Sequence, residues 1–176
     1  MKKLFSILLG FVGALAFTIT ANADVNVVPK VGYQFETHNT NNKQVDTIGQ
    51  FQKNHATYGV EVNVDVDTKT QVGLEYLRTD SNIDSFQVGL IGNRTLGDTP
   101  FYTTGGVGYY KLSGDVKNIE TPYLNLGVGL KTPLTNMISL KTEVRGQYLT
   151  NQNQWIPTAL VGFEFKASEI GKPYGK

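Results

Sequence analysis

The chain reads as all-β, an eight-stranded antiparallel up-and-down transmembrane β-barrel. Three observations lead there. Apolar and polar residues alternate with period two in eight separate segments, and successive side chains of a strand point to opposite faces. The segments run close to the ~9–11 residues that a tilted strand needs to cross a bilayer. Aromatic residues recur at one level of these segments, where a lipid-facing girdle would sit.

The alternation is clearest at 137–165. In 137–148, Ile138, Leu140, Thr142, Val144 and Tyr148 alternate with Ser139, Lys141, Glu143, Arg145 and Gln147. After the polar 149–154, Trp155, Pro157, Ala159, Val161, Phe163 and Phe165 alternate with Ile156, Thr158, Leu160, Gly162 and Glu164. A soluble sheet could hold the apolar face on a core and the charged face in water. A membrane barrel turns the pattern inside out, with charges in the lumen.

The N-terminus sets the compartment. Lys2 and Lys3 precede an apolar run from Leu4 to Phe17, and Ala21-Asn22-Ala23 supplies a small-x-small cleavage site, which together read as a secretory signal peptide over residues 1–23. The barrel then occupies 24–165, and 166–176 form a short periplasmic tail. The expected location is the outer membrane of a Gram-negative envelope. Without Lys2 and Lys3 the 16 basic residues fall to 14 against 15 acidic ones, and no basic block remains, so nucleic acid is not an expected partner. The chain has no cysteine, and no disulfide framework is needed.

The other strands follow in order. The first, 26–37, sets Val27, Val31, Tyr33 and Phe35 against Lys30, Gln34 and Glu36. A long polar stretch, 38–54, leads to His55–Asp65, where Tyr58, Val60, Val62 and Val64 oppose Thr57, Glu61, Asn63 and Asp65. A tight turn at Asp67-Thr68-Lys69 precedes 71–78, with Val72, Leu74 and Tyr76 on one face and Gly73 and Glu75 on the other. The fourth, 85–93, carries Phe86, Val88 and Leu90 opposite Gln87 and Gly89. The fifth, 101–110, has Phe101, Val107 and Tyr109 opposite Tyr102, Thr104, Gly106 and Gly108. The sixth, 123–131, sets Leu124, Leu126, Val128 and Leu130 against Asn125, Gly127, Gly129 and Lys131. Turn residues bound nearly every segment. Alternate connections are long (38–54, 79–84, 111–121, 149–154) and short, which places the long ones outside the cell and the three short ones in the periplasm.

With that orientation Phe35, Tyr58, Tyr76, Phe86, Tyr109, Tyr148 and Trp155 fall at the outer ends of their strands, each in phase with its apolar neighbours. They are the expected aromatic girdle. Tyr123 shares their height but has the opposite parity, so it reads as pointing inward or marking a bulge. Phe101, Phe163 and Phe165 form a sparser girdle at the other end. A soluble barrel has no reason to ring its circumference with aromatics at one level.

Tyr123-Leu-Asn-Leu-Gly-Val-Gly-Leu, then Thr132-Pro133 and Ser139-Leu-Lys-Thr-Glu-Val-Arg-Gly-Gln-Tyr148, resemble the late strands of OmpA-like eight-stranded outer-membrane barrels. The resemblance spans about 26–165 and implies the barrel domain alone, since only an 11-residue tail follows Phe165. Such barrels often end on an aromatic residue, a role that Phe163-x-Phe165 resembles.

The candidate functional residues are the inward charges Glu61, Asp65, Glu75, Lys141, Glu143, Arg145 and Glu164. Eight strands leave an interior that side chains just fill, and buried charges must pair, so these residues read as an ion-pair network plugging the lumen. Arg145 is expected to bridge Glu61, Glu75 or both. The competing reading is a gate for small solutes. His38 and His55 have no serine beside them for acyl transfer, and no enzyme activity, cofactor or metal is expected. Asp65 and Asp67 read as turn-shaping residues, and the glycines at 105–108 as space for bulky lumen side chains. The function read from this pattern is a structural or surface-interaction barrel. Outer-membrane lipid and lipopolysaccharide, the barrel-insertion machinery and a surface partner at the outer loops are the expected partners. A narrow porin-like channel and a soluble periplasmic ligand-binding barrel are the alternatives.

Overall fold

Eight antiparallel strands close on themselves in sequence order, each pairing with its neighbours and the first with the last. The computed structural model describes residues 24–35, 55–79, 84–113 and 119–167. The signal segment, the first long connection with His38, and the end of the tail lie outside the described residues. The strands are β1 Val25–Gln34, β2 His55–Asp65, β3 Thr70–Thr79, β4 Asp84–Thr95, β5 Phe101–Ser113, β6 Ile119–Pro133, β7 Ile138–Leu149 and β8 Gln154–Lys166. Closure leaves no unpaired edge, so every strand has a hydrogen-bonded neighbour on both sides.

The connections alternate in kind. At one end, 66–69, 96–100 and 134–137 are short, and local side chains fix their shape. Asp67 accepts the Lys69 N–H at 2.7 Å, and Thr135 Oγ1 accepts those of Met137 and Ile138 at 3.2 and 3.0 Å. Gly97 takes a left-handed φ of 61°, which costs glycine nothing for want of a Cβ. We refer to this as the turn end and to the opposite one as the loop end.

Several strands outrun the alternation that predicted them. β5 continues to Ser113 and β6 starts at Ile119 instead of Tyr123. There Lys111 pairs in register with Glu120, the two side chains meet at 3.1 Å, and Tyr109 donates to Glu120 at 2.7 Å. Polar cross-strand pairs extend this hairpin where apolar alternation has stopped. At the β1–β8 seam the ladder skips Val28 and Pro29 between Val27↔Phe165 and Lys30↔Gly162, because proline has no N–H to give.

Polarity is inverted relative to a soluble barrel. Leu126 is 68 % exposed and its neighbour Asn125 only 5 %. The same contrast sets exposed Val144 against buried Arg145. The interior is therefore a polar core, with apolar exceptions in Val28, Leu77, Ile91, Leu149, Ile156 and Leu160.

Candidate functional site

The strand parity that turns Val27, Val31 and Tyr33 outward turns Lys30 inward, and Lys30 is the hub of the buried charges. Its ammonium meets Glu61 closely, Glu75 at 2.9 Å and Glu143 at 3.5 Å. These carboxylates come from β2, β3 and β7, so one side chain ties three strands together. Glu61 also accepts Lys141 at 3.1 Å and the Asn93 and Asn63 amides. Arg145 grips Glu75 from across the barrel and reaches Glu143 at 3.2 Å. Tyr102 donates to the same Glu143 at 3.2 Å.

Toward the turn end, Glu164 meets Lys131 closely and Lys141 at 3.7 Å. Lys141 also lies over the Tyr102 ring, 5.0 Å from its centroid, a favourable cation–π geometry. Among the described residues, the buried carboxylates Glu61, Glu75, Glu143 and Glu164 face the buried cations Lys30, Lys141 and Arg145. Lys131, at the rim, supplies the fourth positive charge. That balance matters, because an unpaired charge in such an interior is costly.

Six of the seven inward charges read from the sequence thus meet through shared partners. Asp65 sits apart at the turn end, where its Oδ1 accepts the amides of Asn26 and Gln71, both at 2.8 Å. Beside it the exposed Asp67 carboxyl is held below its ordinary value, first by the Lys69 N–H. Of Glu61 and Glu75, the two carboxylates expected for Arg145, it contacts Glu75, while Lys30 and Lys141 occupy Glu61. Lys30 and Lys131 were absent from the predicted network, although both have inward parity in the sequence.

A second polar layer lies toward the loop end. Gln147 donates to Gln87 at 2.5 Å, Gln34 to Gln147 at 3.4 Å, and Thr79 to Gln34 at 3.1 Å. Tyr123 points inward and is buried. The room for it comes from glycine: a Cβ on Gly108 would stand 2.6 Å from the Tyr123 ring, and one on Gly89 2.5 Å from its hydroxyl.

The girdle residues Phe35, Tyr58, Tyr76 and Trp155 are exposed on the outside, with Phe86, Tyr109 and Tyr148 half-buried beside them. They associate in pairs, Tyr148 with Trp155 at 5.2 Å and Tyr76 with Phe86 at 6.4 Å between ring centroids. Tyr33, left out of the predicted girdle, packs on Phe35 at 6.0 Å. Trp155 also lies over Gly146, where a Cβ would come within 2.9 Å of the indole.

Fold and site geometry define a closed eight-stranded antiparallel barrel with a polar inside and an apolar outside, the architecture of the small outer-membrane barrels. Among solved structures the chain is similar to the N-terminal β-barrel domain of Pseudomonas aeruginosa OprF, an OmpA-like barrel. The TM-score is 0.58 at 18 % identity, covering 80 % of this chain and 97 % of that one. It is also similar to Neisserial surface protein A (TM-score 0.54, 9 % identity, 82 % and 96 % covered). The attachment invasion locus protein Ail of Yersinia pestis is similar as well (TM-score 0.52, 12 % identity, 81 % and 96 % covered). At these identities the likeness is one of fold. No protein-family model matches the chain, and no curated protein is similar to it in sequence.

Proposed function

We propose that the protein is a small integral outer-membrane barrel whose lumen is plugged by its own ion pairs and whose role is structural or surface-interacting. The observation that carries this is the polarity inversion. Leu126, Val128, Val144 and Val31 are each more than half exposed, while Lys30, Glu61, Glu75 and Arg145 are buried. In water that outer surface would be a large apolar patch seeking cover, whereas in lipid it is the stable arrangement. This favours the membrane reading over a soluble ligand-binding barrel.

The plug follows from charge balance and crowding. Lys30 and Arg145 cross the lumen to carboxylates on other strands, so a solute would have to break several ion pairs to pass. The fold likeness to Ail, named for attachment and invasion, and to a protein named for the neisserial surface, supports a surface role through the loop end. Membrane lipid contacts the girdle, and the insertion machinery delivers the exported chain after its signal segment is removed. No catalytic role is assigned to the lumen charges, because they are committed to one another.

Fractionation and electrophoresis test this. The protein should partition with outer membranes and migrate differently before and after boiling. The refolded protein should give no resolvable single-channel current in planar bilayers. A stable conductance would replace the plug with the narrow-channel reading, and recovery in the soluble periplasmic fraction would overturn both.

A further inference from the structure

The turn end of the lumen opens into a cavity of about 130 Å³ that the plug does not use. Its lining includes Asp65, Gln71, Asn93, Lys131, Lys141 and Lys166. Exposed Asp67 and Lys69 of the β2–β3 turn also line it, with Lys69 engaged by Asp98 at 3.0 Å, and the signs of the less exposed residues are sorted in space. Asp65, Gln71 and Asn93 are consecutive partners in register across β2, β3 and β4, and form an acid-and-amide wall. Lys131, Lys141 and Lys166 come from β6, β7 and β8, and form a cationic wall. In a closed ring of eight strands β2 and β6 are diametrically opposed, so the acidic wall faces the basic one across the cavity.

Both walls retain unused hydrogen-bonding capacity. Asn93 is 4 % exposed, and its Oδ1 has no hydrogen-bond partner among the described residues, while its Nδ2 serves Glu61. The two amides on Asp65 both fall on Oδ1, and a carboxylate has a second oxygen to offer. Lys131 directs one N–H toward Glu164 in an ion pair and is still partly exposed; an ammonium has three donors. An anion alone would be repelled by Asp65, and a cation alone by the lysines. A molecule carrying both charges a few bonds apart satisfies both walls, and this complementarity rejects either half on its own.

We infer that this turn-end cavity is a binding site for a small zwitterion of the α-amino-acid class. Its ammonium is held by Asp65 and Asn93 Oδ1, and its carboxylate by Lys131 and Lys166. Lys141, engaged with Glu61 and Glu164, closes the inner end. A volume of about 130 Å³ excludes long chains from the enclosed part and leaves larger side chains directed to the open mouth. The site shares Lys131, Lys141 and Asn93 with the lumen network and so rests on the plugged reading, while ligand titration reads the site and conductance reads the plug.

The test uses the full chain refolded in detergent micelles, with its barrel state verified by heat-dependent mobility. Side-chain amide signals of Asn93 and Gln71 are followed by NMR during titration with glycine, acetate or methylammonium at constant ionic strength. Glycine should shift both signals saturably, and each single-charge half should need at least about tenfold more ligand. Asp65→Asn and Lys166→Gln should each weaken glycine binding by about five- to tenfold, the ~1 kcal/mol expected of one partly solvated charge contact. Neither residue belongs to the buried ion-pair cluster, so both variants should fold. If acetate shifts the signals as well as glycine does and Asp65→Asn strengthens it, the cavity is a plain anion site and the inference fails. Absence of any saturable shift also overturns it.

Discussion

Arg145 and Glu75 face each other from opposite sides of the barrel, with a hydrogen bond from Nη1 to Oε2 at 3.1 Å and an ion-pair contact of Nη2 with Oε1 at 2.7 Å that lacks hydrogen-bond geometry. Such a two-pronged contact uses the planar fork of the guanidinium, which a lysine cannot reproduce. Because β3 and β7 lie four strands apart in the ring, the pair is a crossbeam and not a neighbour contact. Glu75 keeps Lys30 at 2.9 Å if Arg145 is removed, but Glu143 loses one of its cations.

Arg145→Ala should therefore lower stability by ~3–5 kcal/mol, the usual loss when one member of a buried pair is removed. Arg145→Lys should recover only part of it. Adding Glu75→Ala to Arg145→Ala should restore some stability, because it removes the excess buried negative charge that the loss of Arg145 leaves. Urea unfolding in lipid vesicles gives the three values. A double variant no more stable than Arg145→Ala alone would show that the two residues are not coupled.

Tyr102 and Gly129 give a second coupled pair, through shape and not charge. They are direct partners in the β5–β6 ladder, and a Cβ on Gly129 would stand 2.5 Å from both Tyr102 Cε1 and its hydroxyl. Gly129→Ala should cost ~1–3 kcal/mol, the range for overpacking, because Tyr102 is held by Glu143 and cannot swing away freely. In the Tyr102→Leu background the same glycine change should cost clearly less. Equal costs in the two backgrounds would place the strain elsewhere.

Parity was legible in the sequence and depth was not. Period two assigns Glu61, Glu75, Glu143 and Arg145 to one face without any structure. Which of them meet depends on the stagger between strands around the ring, a property of closure that no single segment encodes. Lys30 shows the consequence: its inward phase beside Gln34 is plain, yet its reach to Glu61, Glu75 and Glu143 is set by β1 docking on both β2 and β8. Asp65 errs the other way, grouped with the charges by phase but standing at the rim. The polar extension at Lys111 and Glu120 escaped because apolar alternation reports only where one face meets an apolar phase. Tyr123 was ambiguous until Gly89 and Gly108 could be seen beside it, since cross-strand glycines are invisible along one strand.

The lipid face can be tested at adjacent residues. Leu126 is the most exposed of the outward apolar side chains on β6 and Asn125 is buried beside it. Leu126→Arg should cost ~2–4 kcal/mol near the bilayer midplane. Asn125→Ala should be nearly neutral, because neither polar atom of that amide has a hydrogen-bond partner among the described residues and removing an unpaired buried polar group relieves its desolvation. A refolding titration into vesicles compares the two, and equal losses would reverse the assignment of inside and outside.

The orientation of the barrel rests on its connections. The turns at 66–69, 96–100 and 134–137 are short and self-bonded, while β5 and β6 carry a charged hairpin far past their apolar band at the opposite end. A loop-end surface that continues as polar structure is expected outside the cell, and short turns are expected in the periplasm. Asn151 lies in the β7–β8 connection, exposed, and Thr68 in the β2–β3 turn, also exposed. The chain has no native cysteine to confuse the result. Asn151→Cys should therefore react with a membrane-impermeant maleimide on intact cells, and Thr68→Cys only after the outer membrane is opened. Labelling of Thr68→Cys on intact cells, with Asn151→Cys protected, would require the barrel to be inserted the other way up, and the cavity lined by Lys131 and Lys166 would then face the medium.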